Sequence, residues 1–401
     1  MNISSSHQEL ATYAFLEFDE IVKYVKKRGF FSEQEQVVVT EVSDGKINHV
    51  YRLTGEQKSL ILKQAVPYAR IVGESMPIPI DRVVLEANVL QEYDNIIPGS
   101  VPKVLHLDEI MAIVVMEDMH PMEMGRTALN NGTESAIFAR DIGVFSAKTS
   151  FYTSDFYLDP KLKKELNASF ANPAMREMTE ELSFDCPYNM HDSNFFEEGL
   201  KNDVLFLSQD HRLQLEVAKL KRKFMTKADA LIHSDLHSGA IFMGQDKTVV
   251  FDTEFACFGP FGFDMGHFIA SLLLNGIGHP EFKTKRYEQA RETWYAYTET
   301  FAQVWREESN EPYTQLDGFL THVMDESFTD MLGYAGCELV RRSIGIAQID
   351  DLNYEQDEEK RMARRKKVLE LGKYLILNRN TIRSLEELES WFIDSSHKEE
   401  F

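Results

Sequence analysis

The sequence predicts an α+β fold of two lobes: a small N-terminal lobe (1–118) with an antiparallel sheet and a helix, and a larger, mainly helical C-terminal lobe (119–401). Three observations predict it. Strand patterns rich in β-branched residues cluster before residue 118, with one helical stretch among them. Helical spacing dominates after it. The chain also has 401 residues, 43% of them apolar, which is enough to bury two cores. Strands gathered at one end and helices at the other define α+β order rather than alternating α/β order.

Residues 8–28 carry Leu10, Tyr13, Ala14, Phe18, Ile21 and Tyr24 at helical spacing and read as an amphipathic helix. Residues 36–42 (QVVVTEV) are β-branched and form the first expected strand. Asp44-Gly45 marks a turn. Residues 49–53 and 59–64 (SLILKQ) continue an antiparallel meander. Asp81 is placed to cap a helix that runs to about Tyr93, with Val83, Val84, Ala87 and Leu90 on one face. Two further strands, 103–107 and 111–116, lead to a lobe boundary near Asp118. The second lobe opens with a helix over 133–150. Helices and polar loops continue to about Ala228. A short apolar strand (230–232) follows, then a hairpin of 241–243 and 248–251 around Gly244-Gln245-Asp246-Lys247. Long helices fill the remainder. The last of them, 357–379, starts with a mixed-sign charged run that reads as a solvated face and turns apolar from Val368.

Charge and cysteine usage narrow the function classes. With 43 basic and 65 acidic residues the net charge is −22, which argues against nucleic acid or an anionic membrane as the main partner. A phosphorylated ligand is compatible, since it needs only a few local cations and N–H groups. Cys186, Cys257 and Cys337 are odd in number and lack CxxC spacing, as in a reduced, cytoplasmic protein without a cysteine zinc site. The N-terminal MNISSSHQEL has no charged region followed by an apolar one, so no signal peptide is expected. The most apolar stretch, 261–278, contains Asp264 and His267 and is too short to span a bilayer.

Chemistry concentrates in a few motifs. His233-Ser234-Asp235-Leu236-His237 follows the apolar strand, and Phe251-Asp252-Thr253-Glu254 closes the hairpin, with Asp252 17 residues after Asp235. Phosphoryl transfer needs one carboxylate to orient an acceptor hydroxyl and take its proton, and another to hold Mg²⁺ against nucleotide phosphates. Asp235 suits the first task. Asp252 and Glu254 offer the hard oxygens of the second. Either motif alone is ambiguous, because HxD triplets arise by chance and Asp252 could cap a loop. Their order after the strands favours an active site. Lys63 ends an otherwise apolar strand, where a lysine can reach α- and β-phosphates. Glu86, on the following helix, is its candidate partner; both also read as ordinary surface charges. Gly45 and Asn48 lie in the first turn, where a phosphate-covering loop belongs, although most Asp-Gly pairs are plain hairpin turns. Glu117 and Met119 sit at the lobe boundary, where backbone groups could meet an adenine edge. Arg341-Arg342 stands in apolar surroundings, where an unpaired charge is costly. Spacing alone leaves two readings open, a contact to substrate or phosphoryl oxygens and a salt bridge to an acid.

The order of DG loop, LILK, helix, MEDM, HSDLH and FDTEF resembles the protein-kinase-like small-molecule kinases, a group that includes aminoglycoside and choline kinases. DGKINHVYRL, RIVGESMPIPIDR, HSDLHSGAIF, VVFDTEFACFGPFGFDMGHF and VRRSIGIAQ make the chain more closely similar to the 5-methylthioribose kinase family, over roughly residues 37–377. The resemblance implies a two-lobed protein-kinase-like fold and phosphorylation of the anomeric hydroxyl of 5-methylthioribose by ATP in methionine salvage. It implies Asp235 as catalytic base and Asp252 and Glu254 as Mg²⁺ ligands. Lys63 would bind phosphate, Arg341 and Arg342 the substrate, and the protein would be a cytoplasmic homodimer. Three positions depart from the family's pattern. Ser234 replaces a glycine and would be strained at positive φ. Ala240 stands where the wider group has a metal-binding asparagine, leaving metal binding to Asp252 and Glu254. Met76 lies in a loop where a tryptophan is expected. Two alternatives follow, a kinase of another small sugar or amino alcohol and a catalytically inactive kinase-fold binding protein.

Overall fold

The computed structural model describes residues 12–42, 47–70, 73–346 and 348–393. They fall into two compact units, one within 1–91 and 102–119, the other within 92–101 and 120–401.

The first unit is built on a five-stranded antiparallel sheet. Its strands are β1 (Val38–Glu41), β2 (His49–Thr54), β3 (Ser59–Gln64), β6 (Val104–Asp108) and β7 (Ile113–Glu117), in the order β1-β2-β3-β7-β6. A small ladder pairs β4 (Tyr68–Ala69) with β5 (Gly73–Pro77), and Met76 lies on β5. Helix α1 (Phe18–Lys27) buries Ile21 and Val25 against Leu53, Leu60, Leu62, Ile113 and Val115 of the sheet. The helix expected over 8–28 is therefore shorter at its start, and Leu10 lies outside the described residues. The reason is local. The Leu16 N–H donates to Oε1 of Gln64 at 3.1 Å, and Nε2 of Gln64 donates to the Ala14 carbonyl at 2.9 Å. These bonds tie 14–16 to the end of β3, and Glu20 accepts from the Glu17 N–H at 2.9 Å to start the helix at Phe18. The division between units falls within α2 (Arg82–Ile96). The 92–101 segment groups with the second unit because the Tyr93 hydroxyl donates to the Leu231 carbonyl at 3.2 Å and the Val250 N–H to that of Ser100 at 2.8 Å.

The second unit is mainly helical. Its helices are α3 (Gly125–Asn130), α4 (Phe138–Tyr152), α5 (Pro160–Ser169), α6 (Pro173–Glu180), α7 (Lys201–Gln209), α8 (His211–Thr226), α9 (Gly262–Gly278), α10 (Lys283–Glu308), α11 (Phe319–Ile344), α12 (Asp350–Asn353), α13 (Glu358–Asn378) and α14 (Glu389–Ile393). Short strands carry the loops of interest: β8 (Glu123–Met124), β9 (Ala230–Ile232), β10 (Ile241–Met243), β11 (Thr248–Val250) and β12 (Cys257–Gly259). The expected hairpin is present, Ile241 opposite Val250 with Gly244 closing on Lys247. β9 pairs antiparallel with β12, which the sequence reading did not include.

Every residue of α9 is buried, which accounts for its apolar run. Among the described residues no helix is long and apolar enough to cross a membrane. α9 packs against α11 at very close range. A Cβ at Gly266 would stand 2.7 Å from the Met331 carbonyl oxygen and 2.9 Å from the Ala335 nitrogen. The absence of that atom lets the two backbones meet. The approach matters because α9 carries Asp264 in its first turn and α11 carries Arg341 and Arg342 in its last.

Candidate active site

In the first unit, Lys63 and Glu86 form a buried pair. Lys63 is 6% exposed and Glu86 1%. Nζ lies 2.9 Å from Oε1 and 2.8 Å from Oε2, so the lysine meets both oxygens of one carboxylate. The pairing of β3 with β2 and β7 fixes Lys63 opposite Val50 and Val114, and Glu86 comes from the first half of α2. Asn48 is also buried; its Oδ1 accepts from Nη2 of Arg82 at 2.5 Å. Arg82 donates further to the Pro79 and Val66 carbonyls, a clamp that sequence spacing did not disclose. Glu117 ends β7 with an exposed side chain, and Met119 is buried two residues on. Gly45 lies outside the described residues, with its neighbours Asp44 and Lys46.

In the second unit, Asp235 follows β9 in a tightly organised loop. Asp264, in the first turn of α9, accepts backbone N–H bonds from His233 at 2.7 Å and Ser234 at 2.9 Å. His233 ties this loop to the next motif. Its Nδ1 accepts from the Asp235 N–H at 3.3 Å, so Nε2 carries the proton and donates to the Phe251 carbonyl at 2.8 Å, beside Asp252. Ser234 has φ 66° and Asp252 φ 67°, both in the left-handed region. The strain foreseen for a serine at this glycine position is present. Its buried hydroxyl has no hydrogen-bond partner among the described residues.

The Asp235 carboxylate is 23% exposed and surrounded by donors. Oδ1 accepts from Nη2 of Arg341 at 2.8 Å and Nη2 of Arg342 at 3.2 Å. Oδ2 lies 3.4 Å from Nε2 of His237. Nδ1 of His237 accepts from the Gly239 N–H at 2.9 Å and faces Nη2 of Arg126 at 3.3 Å, which places the ring proton on Nε2, toward Asp235. Burial, opposed by Asp235 and aided by Arg126 and Arg342, pushes His237 down to about 4, so it is a neutral donor at pH 7. Burial raises the Asp235 carboxyl, but His237, Arg341 and Arg342 outweigh it and hold the group well below the usual carboxylate range. Because His237 is uncharged at pH 7, the two guanidiniums carry that effect there. Such a carboxylate is always ionised and orients a donor hydroxyl more than it drains its proton.

Arg341 and Arg342 also bond Glu338, so the salt-bridge reading is the one the structure contains: the arginines pair with Glu338 and with Asp235. Asp252 and Glu254 flank Thr253 in a short turn after β11; Glu254 is 3% exposed, and Asn172 fixes the turn by donating to the Glu254 and Ala256 carbonyls at 2.9 and 3.0 Å. Ala240 is buried and offers no ligand atom. Sequence reasoning missed Arg126, His237, Asp264 and Glu338. A signal existed for two of them. Asp264 is a lone acid at the start of an apolar helix, and Glu338 precedes Arg341 and Arg342 by three and four residues, the spacing at which helical side chains meet.

A lysine on a strand paired with a glutamate on the following helix, and an ionised aspartate between arginines, are groups suited to phosphoryl transfer. The phosphotransferase enzyme family model matches residues 38–299, and the chain belongs to that family. It is 44% identical to methylthioribose kinase of Geobacillus sp. (strain WCH70) over 367 residues, 91% of this chain and 92% of that one. It is 43% identical to methylthioribose kinase of Geobacillus thermodenitrificans (strain NG80-2), over 92% of this chain and 93% of the relative, and 42% identical to that of Bacillus cereus (strain B4264), over 88% and 91%. Among solved structures, choline kinase from Cryptosporidium parvum Iowa II aligns with a TM-score of 0.53 at 13% identity, covering 91% of this chain and 99% of that one, which shows a shared kinase-like fold. The chain is a kinase of this family.

Proposed function

We propose that the protein transfers the γ-phosphoryl group of ATP to the anomeric 1-hydroxyl of 5-methylthioribose, giving 5-methylthioribose 1-phosphate and ADP, a step of methionine salvage. The observation that carries this reading is 44% identity to a methylthioribose kinase along nearly the whole of both chains.

In this reading the 1–118 lobe binds nucleotide and the 119–401 lobe binds acceptor. Lys63, oriented by Glu86, binds the α- and β-phosphates; Gly45 and Asn48 belong to the loop that covers them. Glu117 and Met119 offer backbone groups to the adenine edge. Asp235 accepts a hydrogen bond from the acceptor hydroxyl. As the oxygen bonds to phosphorus and the bond to the β-phosphate oxygen breaks, ADP leaves with that electron pair and the hydroxyl proton passes to Asp235. Phosphoryl transfer has a loose transition state in which proton loss comes late, so a weakly basic, well-oriented carboxylate suffices. Arg341 and Arg342 hold acceptor oxygens and balance developing negative charge. Asp252 and Glu254 supply the hard oxygens suited to Mg²⁺, with no contribution from Ala240. The ion neutralises phosphate charge when bound. Homodimerisation and a cytoplasmic location complete the proposal, from family resemblance and the reduced cysteines.

The test is ADP release from Mg-ATP with 5-methylthioribose, and in parallel with ribose, choline and an aminoglycoside. Turnover with methylthioribose alone is expected. Turnover with another acceptor instead would keep the kinase and discard this substrate; none with any acceptor, despite ATP binding, would favour an inactive binding protein.

A further inference from the structure

Glu338 organises the acceptor side of the second unit without itself belonging to any motif. It is 2% exposed, and Arg341 and Arg342 are each 6% exposed. Its position on α11 brings one carboxylate against both guanidiniums. Oε2 accepts from Nε of Arg341 at 2.7 Å, and Oε1 from Nη2 of Arg341 at 3.1 Å and Nε of Arg342 at 2.6 Å. Each arginine is thus gripped at its inner nitrogen and turns an Nη2 toward Asp235. Two adjacent guanidiniums repel and carry many rotamers; an acid beneath both removes the repulsion and selects one geometry. With Asp235, the four groups are formally neutral, which is how a buried charge cluster is tolerated. A further titratable neighbour, His267, has Nε2 3.9 Å from Oε2 of Glu338, and burial pushes it down to about 4, so it does not compete as a cation for that carboxylate at pH 7.

We infer that Glu338 is a positioning residue: it sets the arginine pair so that Arg341 and Arg342 can exchange Asp235 for acceptor oxygens when substrate arrives. The inference rests on the proposed kinase reading and deepens it. Releasing the inner nitrogens lets the guanidiniums close further on Asp235 and lose their aim at the acceptor. The loss falls on the acceptor and not on the nucleotide.

The experiment compares wild type with Glu338→Gln and Glu338→Asp. Initial rates are measured against methylthioribose at saturating ATP and against ATP at saturating methylthioribose, with a thermal melt for each protein. In Glu338→Gln, kcat/KM for the acceptor is expected to fall about 10- to 100-fold, the worth of one to two charge-assisted hydrogen bonds, while the KM for ATP stays within about twofold. Glu338→Asp, which keeps the charge but has a shorter reach, should recover part of that loss. If Glu338→Gln does not fold, the same split read in Glu338→Asp decides. A folded variant with unchanged acceptor kinetics would overturn the inference. So would a loss shared equally by both substrates that follows the melting temperature, since that is the mark of a merely structural ion pair. Wild type inert toward methylthioribose but active on another acceptor refutes the substrate proposal alone, and the comparison is then read with that acceptor. Wild type inert toward all acceptors refutes both.

Discussion

Ser234 shows how much one side chain can reveal. At φ 66° an L-residue pays for a left-handed backbone that glycine adopts freely, and here the Cβ also carries a buried hydroxyl with no hydrogen-bond partner among the described residues. The loop tolerates this because Asp264 grips the His233 and Ser234 N–H groups and His233 anchors to Phe251. Ser234→Gly is therefore expected to stabilise the protein by about 1 kcal/mol, the relief of strain outweighing the extra freedom of the unfolded chain, with kcat unchanged. Denaturant unfolding measures it, and a lower midpoint at equal slope would show that the serine is not strained. Lys63, Asp235, Asp252, Arg341 and Arg342 stood out in the sequence because charge in an apolar run, or at a strand end, is costly without a purpose. Asp264 and Glu338 did not stand out. What they do depends on which backbone or side chain the fold brings to them, and a single acid in a helix has many ordinary explanations.

Elements were legible where their pattern is long or their turn chemistry explicit. The 59–64 strand, the 241–250 hairpin and the helix over 358–378 follow from β-branching, Gly-Gln-Asp turn residues and helical period. β8 and β12, with two and three residues, are too short for any period to register and exist because β10 and β9 need partners. The start of α1 was misplaced because side-chain bonds from Gln64, distant in sequence, compete with helix formation over 14–16. The contact of α9 with α11 was likewise unreadable, since a helical glycine gives no hint of what approaches it. That contact sets the spacing between Asp264, which holds the Asp235 loop, and the helix bearing Glu338, Arg341 and Arg342. A methyl group at Gly266 would meet backbone atoms, which cannot rotate away. Gly266→Ala is expected to destabilise the protein by about 1–3 kcal/mol and to lower kcat/KM for the acceptor. Thermal and denaturant melts together with acceptor kinetics test it; a variant as stable and active as wild type would mean that α9 and α11 separate without consequence.

For the whole molecule, the separation into two units yields a kinetic expectation. The candidate nucleotide residues Asn48, Lys63 and Glu86 belong to the first unit, and Asp235, Asp252, Glu254, Arg341 and Arg342 to the second. Each group has an anchor within its own unit, Lys63 in Glu86 and the arginines in Glu338. In the proposed roles, Lys63→Ala removes a phosphate ligand and takes its lysine partner from the buried Glu86 carboxylate, which costs stability as well as affinity. Arg342→Ala removes the proposed acceptor ligand and leaves Asp235 and Glu338 with one arginine between them. The expectation is a crossed pattern. Lys63→Ala raises the KM for ATP about 10-fold or more and leaves the KM for methylthioribose within about twofold, while Arg342→Ala does the reverse. Steady-state kinetics with each substrate varied in turn, on variants shown to be folded, distinguish this from its alternative. If both variants raise both constants alike, the two units do not divide the labour between nucleotide and acceptor, and the assignment of Lys63 to phosphate and of Arg342 to acceptor fails with them.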